Sequence, residues 1–160
     1  TSLLMEGKSI PEQILLPTID FTQNITHVCH HGKEEEVLFP ALGQSGMPTK
    51  MGPIPRMIME HKITNQLAGQ IEVSAKAYLE SGDSEELITS LQNYVIHVRE
   101  HLWKENNRLF MMADSRLNNV SKEVDDRLGK IEDLKLKEIG KSRSDYEALA
   151  EELEKSVSKI

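Results

Sequence analysis

The histidines of this chain are grouped rather than scattered. They are His27, His30 and His31, then His61, then His97 and His101. On two stretches histidines open the spacing His-x-x-x-Glu, on an apolar stripe as His31 with Glu35 and His101 with Glu105. Side chains four apart on a helix lie on one face, one above the other, and can share a ligand. In both cases the pair interrupts an apolar stripe. The first stripe reads Phe21, Val28, His31, Glu35, Leu38, Leu42, and the second Leu91, Tyr94, Val98, His101, Glu105, Leu109. His61 follows Met57 by four and precedes Ala68 by seven on a third stripe. A buried carboxylate without a partner is costly, and two are more so. A metal cation removes that cost. Imidazole and carboxylate ligands from facing helices are how bundle proteins hold di-iron or di-manganese pairs. Cysteine-rich zinc spacings are absent.

One His-x-x-x-Glu pair is ordinarily a surface salt bridge, and one inward histidine is ordinarily a hydrogen-bonded core residue. Two pairs and a histidine on three successive helices point instead to a metal site. His30 and Glu34 repeat the spacing about 100° round the helix. The apolar neighbours favour the 31/35 pair as the inward one, with His30 at the rim and Glu34 and Glu36 on a solvated face. His27 and His97 lie four residues before His31 and His101, at the stripe edges, and extend the candidate ligand set.

These residues need helices to position them. Good helix formers dominate, aromatics are only 4%, and no strand pattern is present, so the fold class expected is all-α. Ser9 and Glu12 have capping-box spacing around Pro11, predicting a helix from there to Leu42, with a kink or late start at Pro17. A loop rich in Gly and Pro follows from Gly43 to Pro53. A second helix runs from Pro53 to near Gly82, and a third, capped by Asp83 or Ser84, to near Asp114. Residues 119–140 form a more polar helix ending at Gly140. Ser144 and Glu147 cap a last one carrying Tyr146, Leu149, Leu153 and Val157. The expected organisation is one domain over 1–160. It comprises a remnant of a preceding helix or loop (1–10), metal-binding bundle helices (11–114) and a helical C-terminal extension (119–160). Cys29 reads as a small buried hydrophobe, and methionines such as Met57, Met59, Met111 and Met112 as packing.

Composition narrows the function classes. The 160 residues carry 19 Lys+Arg against 26 Asp+Glu, a net charge of −7, which disfavours nucleic acid as a partner. No stretch approaches the roughly 18 apolar residues a membrane span needs. The single cysteine excludes an intrachain disulfide and suits a cytoplasmic setting, the location expected here.

Three strings then carry a resemblance. HHGKEEEVLFPAL (30–42), GPIPRMIMEH (52–61) and HLWKENNRLFMMAD (101–114) resemble, in order and spacing, the motifs of the hemerythrin-like (HHE cation-binding) domains. The tail, with KLKEIG at 135–140, is similar to that of the extended microbial branch. The resemblance implies an up-and-down helical bundle around two iron ions, a non-haem di-iron centre, with another divalent metal as the alternative cofactor. It implies binding or sensing of O2 or related small oxidants, or iron handling, without catalysis. A peroxidase-like or oxidase-like metalloenzyme is the second reading. A helical interaction module with a structural metal, docking a partner or a second copy through helices 119–160, is the third. By motif, His31 and Glu35, His61, and His101 and Glu105 correspond to the family's ligands, Glu35 and Glu105 as bridging carboxylates. The family's first helix also brings a histidine, and residues 1–26 have none, so that bundle helix is expected to be missing or truncated here. A second histidine of the third family helix is replaced at Met57 and Asn65, and His27 and His97 are expected to compensate.

Overall fold

The structure, a computed structural model, describes residues 1–160 and contains helices and no strand. Three long antiparallel rods form its body, over residues 12–44, 53–81 and 85–117. Two further helices, Ser121–Ile139 and Arg143–Val157, cover the first rod. A single turn, Ser2–Met5, precedes the rods and buries Leu4. No helix is long and apolar enough to cross a membrane.

The first rod is not uniform. α-Helix over Glu12–Phe21 gives way to wider π-helical turns over Thr22–His31 and again over Glu34–Leu38, then returns to α-helix at Phe39–Gln44. The third rod repeats this at one place, with a π-helical turn at Glu105–Leu109 between α-helical Glu85–Lys104 and Phe110–Leu117. Such turns are rare and concentrate at functional sites. Pro17 sits inside the first rod without ending it. The Thr18 hydroxyl beside it donates to the Ile14 carbonyl at 2.7 Å.

Several expected boundaries shift. The first rod is capped at Pro11, with no side-chain cap, so the Ser9–Glu12 box does not form. The last helix has its capping box two residues earlier, between Ser142 and Asp145, and not at Ser144–Glu147. The third rod runs on to Leu117, because Ala113 and Leu117 still have core to cover. The second rod begins at Pro53 and stops before Gly82, whose φ of 77° gives the left-handed cap that a side chain would resist.

Packing divides the molecule along the rods. At one end Leu38, Leu42, Met57 and Leu109 belong to an apolar cluster that also takes in Val124 of the helix Ser121–Ile139. At the other end Leu15, Ile19, Ile71, Leu87 and Tyr94 form a second. A small third cluster, Cys29 with Leu136 and Tyr146, seats the two C-terminal helices on the first rod. Met57 is core as expected, whereas Met59 and Met111 are largely exposed and pack little. Leu42 has no solvent exposure at all. Leu42→Ala is therefore expected to cost about 2–5 kcal/mol, read as a lower urea midpoint at unchanged slope.

Candidate metal centre

Between the two larger clusters the core turns polar. His31, His61 and His101, one from each rod, are each 1% exposed, and Glu105 is wholly buried. His31 and His61 stack with ring centroids 3.8 Å apart and planes 5° from parallel, and His101 stands edge-on to both. His101 Nε2 lies 2.7 Å from Glu105 Oε1, and His61 Nε2 lies 3.8 Å from the same oxygen. Ligand atoms of His31, His61 and His101 fall within 4.8 Å of one another, as do those of Glu34, His61, His101 and Glu105.

The inward carboxylate of the first rod is Glu34. It is 4% exposed, with Oε2 at 3.1 Å from His61 Nε2, whereas the Glu35 side chain is 40% exposed. This reverses the expected order, and the π-helical winding explains it. Within Glu34–Leu38 the wider turn keeps residues four apart near one face, whereas His31 and Glu34 are joined across the ordinary α-helical residues Gly32 and Lys33, where residues three apart also stay close to one face. Counted back from buried Leu38, Glu34 comes inside and Glu35 moves to the flank. Glu35 is not idle there: its Oε1 accepts from His61 Nδ1 at 2.7 Å.

His101 is oriented in the same way. Its Nδ1 donates to Glu60 Oε2 at 3.2 Å, and Glu60 Oε1 accepts from Lys104 Nζ at 2.8 Å and Arg56 Nε at 3.1 Å. A carboxylate on the outer nitrogen fixes the tautomer that turns the Nε2 lone pair inward. Burial works against the charge of Glu60, but bonds from Lys104, Arg56 and His101 outweigh it and hold its pKa low. Sequence reasoning missed Glu60, because Arg56–Glu60 has the spacing of an ordinary surface pair. The bond to His101 joins residues 41 apart.

The other histidines divide. His30 lines the rim with a half-buried ring, its Nε2 being 3.6 Å from Glu105 Oε2 and 4.0 Å from Glu34 Oε2. His27 lies 6.0 Å from the His31 ring and has a buried Nδ1 without a partner. His97 is not brought to the cluster: its Nε2 donates instead to the Glu60 carbonyl and to Thr64 Oγ1, each at 3.1 Å.

What distinguishes this pocket is unmet polarity. Both nitrogens of His31, both oxygens of Glu34 and of Glu105, and Nε2 of His30, His61 and His101 are buried without a hydrogen bond. Several face each other closely but are misaligned for hydrogen bonding. At about 1–3 kcal/mol for each unsatisfied group, their sum rivals the about 5–15 kcal/mol of net stability that a whole fold retains. The donor set, imidazoles plus two carboxylates with both oxygens free, fits divalent transition-metal cations.

The electrostatics agree. Burial and the neighbouring His61, His30 and His101 push the pKa of His31 down to about 2, so it stays neutral. Burial also opposes a proton on His61, but Glu105, Glu34 and Glu35 outweigh it and raise its pKa to about 9. Glu105 is held well below the carboxylate range: burial resists, and His101, His30 and His61 prevail. The pocket thus keeps carboxylate charge, a neutral imidazole at His31 and a displaceable proton on His61.

The protein-family model described as Hemerythrin HHE cation binding domain matches residues 10–113. That span contains every residue of the pocket and leaves out the two C-terminal helices. No curated protein and no solved structure matches.

Proposed function

This chain belongs to the hemerythrin HHE cation-binding family, and from that membership we propose that its buried histidine–carboxylate pocket holds two iron ions and binds or senses dioxygen or a related small oxidant. The observation that carries the reading is the cluster of buried, unpartnered nitrogens and oxygens contributed by three separate rods.

His31, His61 and His101 are the nitrogen ligands in this account, with Glu34 and Glu105 the carboxylates able to bridge. Glu35 and Glu60 orient His61 and His101 from outside. Bound ferrous iron would supply the electrons that an oxygen ligand accepts. The protein's own part is to fix the ligand geometry and exclude bulk water. Phe39, stacked 5.6 Å from the His61 ring, and buried Leu38, Met57 and Leu109 close one end of the pocket. Iron-loaded protein is expected to change absorption reversibly when cycled between air and argon. Continuous turnover of peroxide in place of a reversible change would replace this reading with the metalloenzyme one.

Two further outcomes follow from the geometry. Glu60→Gln leaves every ligand in place but weakens the hold on His101, and should lower metal affinity by about 10–100-fold. A competition titration with a chelator of known affinity measures this. The second concerns pH. Cation uptake must displace the proton that His61 holds up to about pH 9. Affinity should therefore rise with pH up to about pH 9 and then level off, with proton release near neutrality. Calorimetry in buffers of differing ionisation enthalpy counts that release.

A further inference from the structure

Next to the metal pocket, but outside it, lies a cleft of about 300 Å³ between the start of the second rod and the π-helical turn of the third. Its walls include Arg56, Lys104 and Arg108, and its apolar floor is Met57 and Leu109. One carboxylate reaches this group, Glu60, and a single oxygen of it, Oε1, takes both Arg56 Nε and Lys104 Nζ. Three cations against one anion leave an excess of positive charge, in a chain whose net charge is −7. A lysine has three donors and an arginine five. One shared oxygen therefore leaves most of the donors of Arg56 and Lys104 free, and Arg108 has no carboxylate partner among the ion pairs. Its guanidinium rests 5.3 Å from the ring centre of Trp103.

We propose that this cleft is a binding site for a small oxyanion of the phosphate class, coupled to the metal pocket through Glu60. Convergent arginine and lysine donors on a concave surface are the chemistry that recognises phosphate oxygens. The coupling runs through named bonds. Arg56 and Lys104 hold Glu60 Oε1, and Glu60 Oε2 holds His101 Nδ1. An oxyanion that draws Arg56 and Lys104 toward itself leaves Glu60 with more of its charge to place on the His101 N–H. His101 Nε2 then becomes the stronger donor to a cation. The anion's own charge acts with the same sign. Occupancy of the cleft therefore tightens metal binding, and by linkage a loaded metal pocket tightens anion binding by the same factor. This coupling rests on the metal reading above, whereas the anion site does not.

The test is a titration of the full chain, metal-free and metal-loaded, with inorganic phosphate and, in a second arm, with glycerol phosphate. Sodium chloride of matched ionic strength is the control. Calorimetry gives the affinity. Trp103, the one tryptophan of the chain, reports displacement of Arg108 by fluorescence. The expected result is saturable binding of phosphate that chloride does not mimic. Arg108→Gln should weaken it about tenfold or more, with metal content kept, and the metal-loaded chain should bind phosphate severalfold more tightly than the metal-free one. The tighter of the two phosphates identifies the source as the free ion or an ester. Fluorescence that follows ionic strength alone, or Arg108→Gln and Lys104→Gln chains that bind as the unaltered one does, overturns the site. Equal phosphate affinity with and without metal overturns the coupling. A chain that binds phosphate but no metal overturns the metal reading and the coupling, and leaves the anion site standing.

Discussion

Glu105→Gln is expected to reduce metal affinity by more than the about 10–100-fold typical of losing an outer partner, while the helical fold survives. Glu105 is wholly buried, and neither of its oxygens has a hydrogen-bond partner. Its carboxylate faces His101 at 2.7 Å, His30 at 3.6 Å and His61 at 3.8 Å, so this one residue meets a histidine from each of the three rods. The amide has nearly the same size, so no cavity opens. What is lost is the charge that a cation needs. Paired variants on the first rod add a sharper contrast. Glu34→Gln should approach the Glu105→Gln loss, because both Glu34 oxygens face the pocket without partners. Glu35→Gln should cost no more than an outer partner does, because Glu35 holds His61 by Nδ1. Chelator competition on all three variants, with far-ultraviolet dichroism to verify folding, measures these losses. A larger loss in Glu35→Gln than in Glu34→Gln would mean that the first rod rewinds to α-helical register when it binds metal.

The second large effect is on stability. A cation that binds only the folded chain stabilises it, by about 4 kcal/mol at a free concentration a thousand times the dissociation constant. For a chain of this size each kcal/mol moves the melting temperature by about 2–4 °C. Chelation should thus lower the melting temperature by about 8–16 °C. The pH dependence separates the two forms. In the metal-free chain His61 has its pKa raised to about 9. Its proton contributes stability that is fully present below the unfolded value near pH 6.5, and that is lost as pH rises through about 9. The metal-loaded chain has already given up that proton, and its affinity grows over the same interval. The gap between loaded and stripped melting temperatures should therefore widen from about pH 6.5 to about pH 9. A gap that is constant or absent would separate the cation from His61.

Much of this architecture can be read from periodicity. The three rods declare themselves through apolar stripes that repeat every three and four residues, and Gly82 and Gly140 mark where two helices stop. His31, His61, His101 and Glu105 could be named from their places on those stripes, because a polar residue on a buried face requires a reason. Glu34 could not be named in that way. A face that advances 100° per residue drifts where the first rod is π-helical, over Thr22–His31 and again over Glu34–Leu38. No local signal in TQNITHVCHH or EEEVL marks that winding. Glu60 and His97 escaped for a different reason. Their roles depend on which neighbouring rod they meet: Glu60 crosses to His101, and His97 turns back to the Glu60 carbonyl. Such pairings are tertiary, and spacing within one helix is silent about them.

The most direct test of the central claim is metal analysis of protein purified without air, joined to its absorption spectrum before and after oxygen is admitted. The account predicts about two iron atoms per chain and a new absorption band on exposure to oxygen that Glu105→Gln protein lacks. Folded wild-type protein that retains no cation, takes up none when iron is offered, and melts at the same temperature with and without chelator would contradict it.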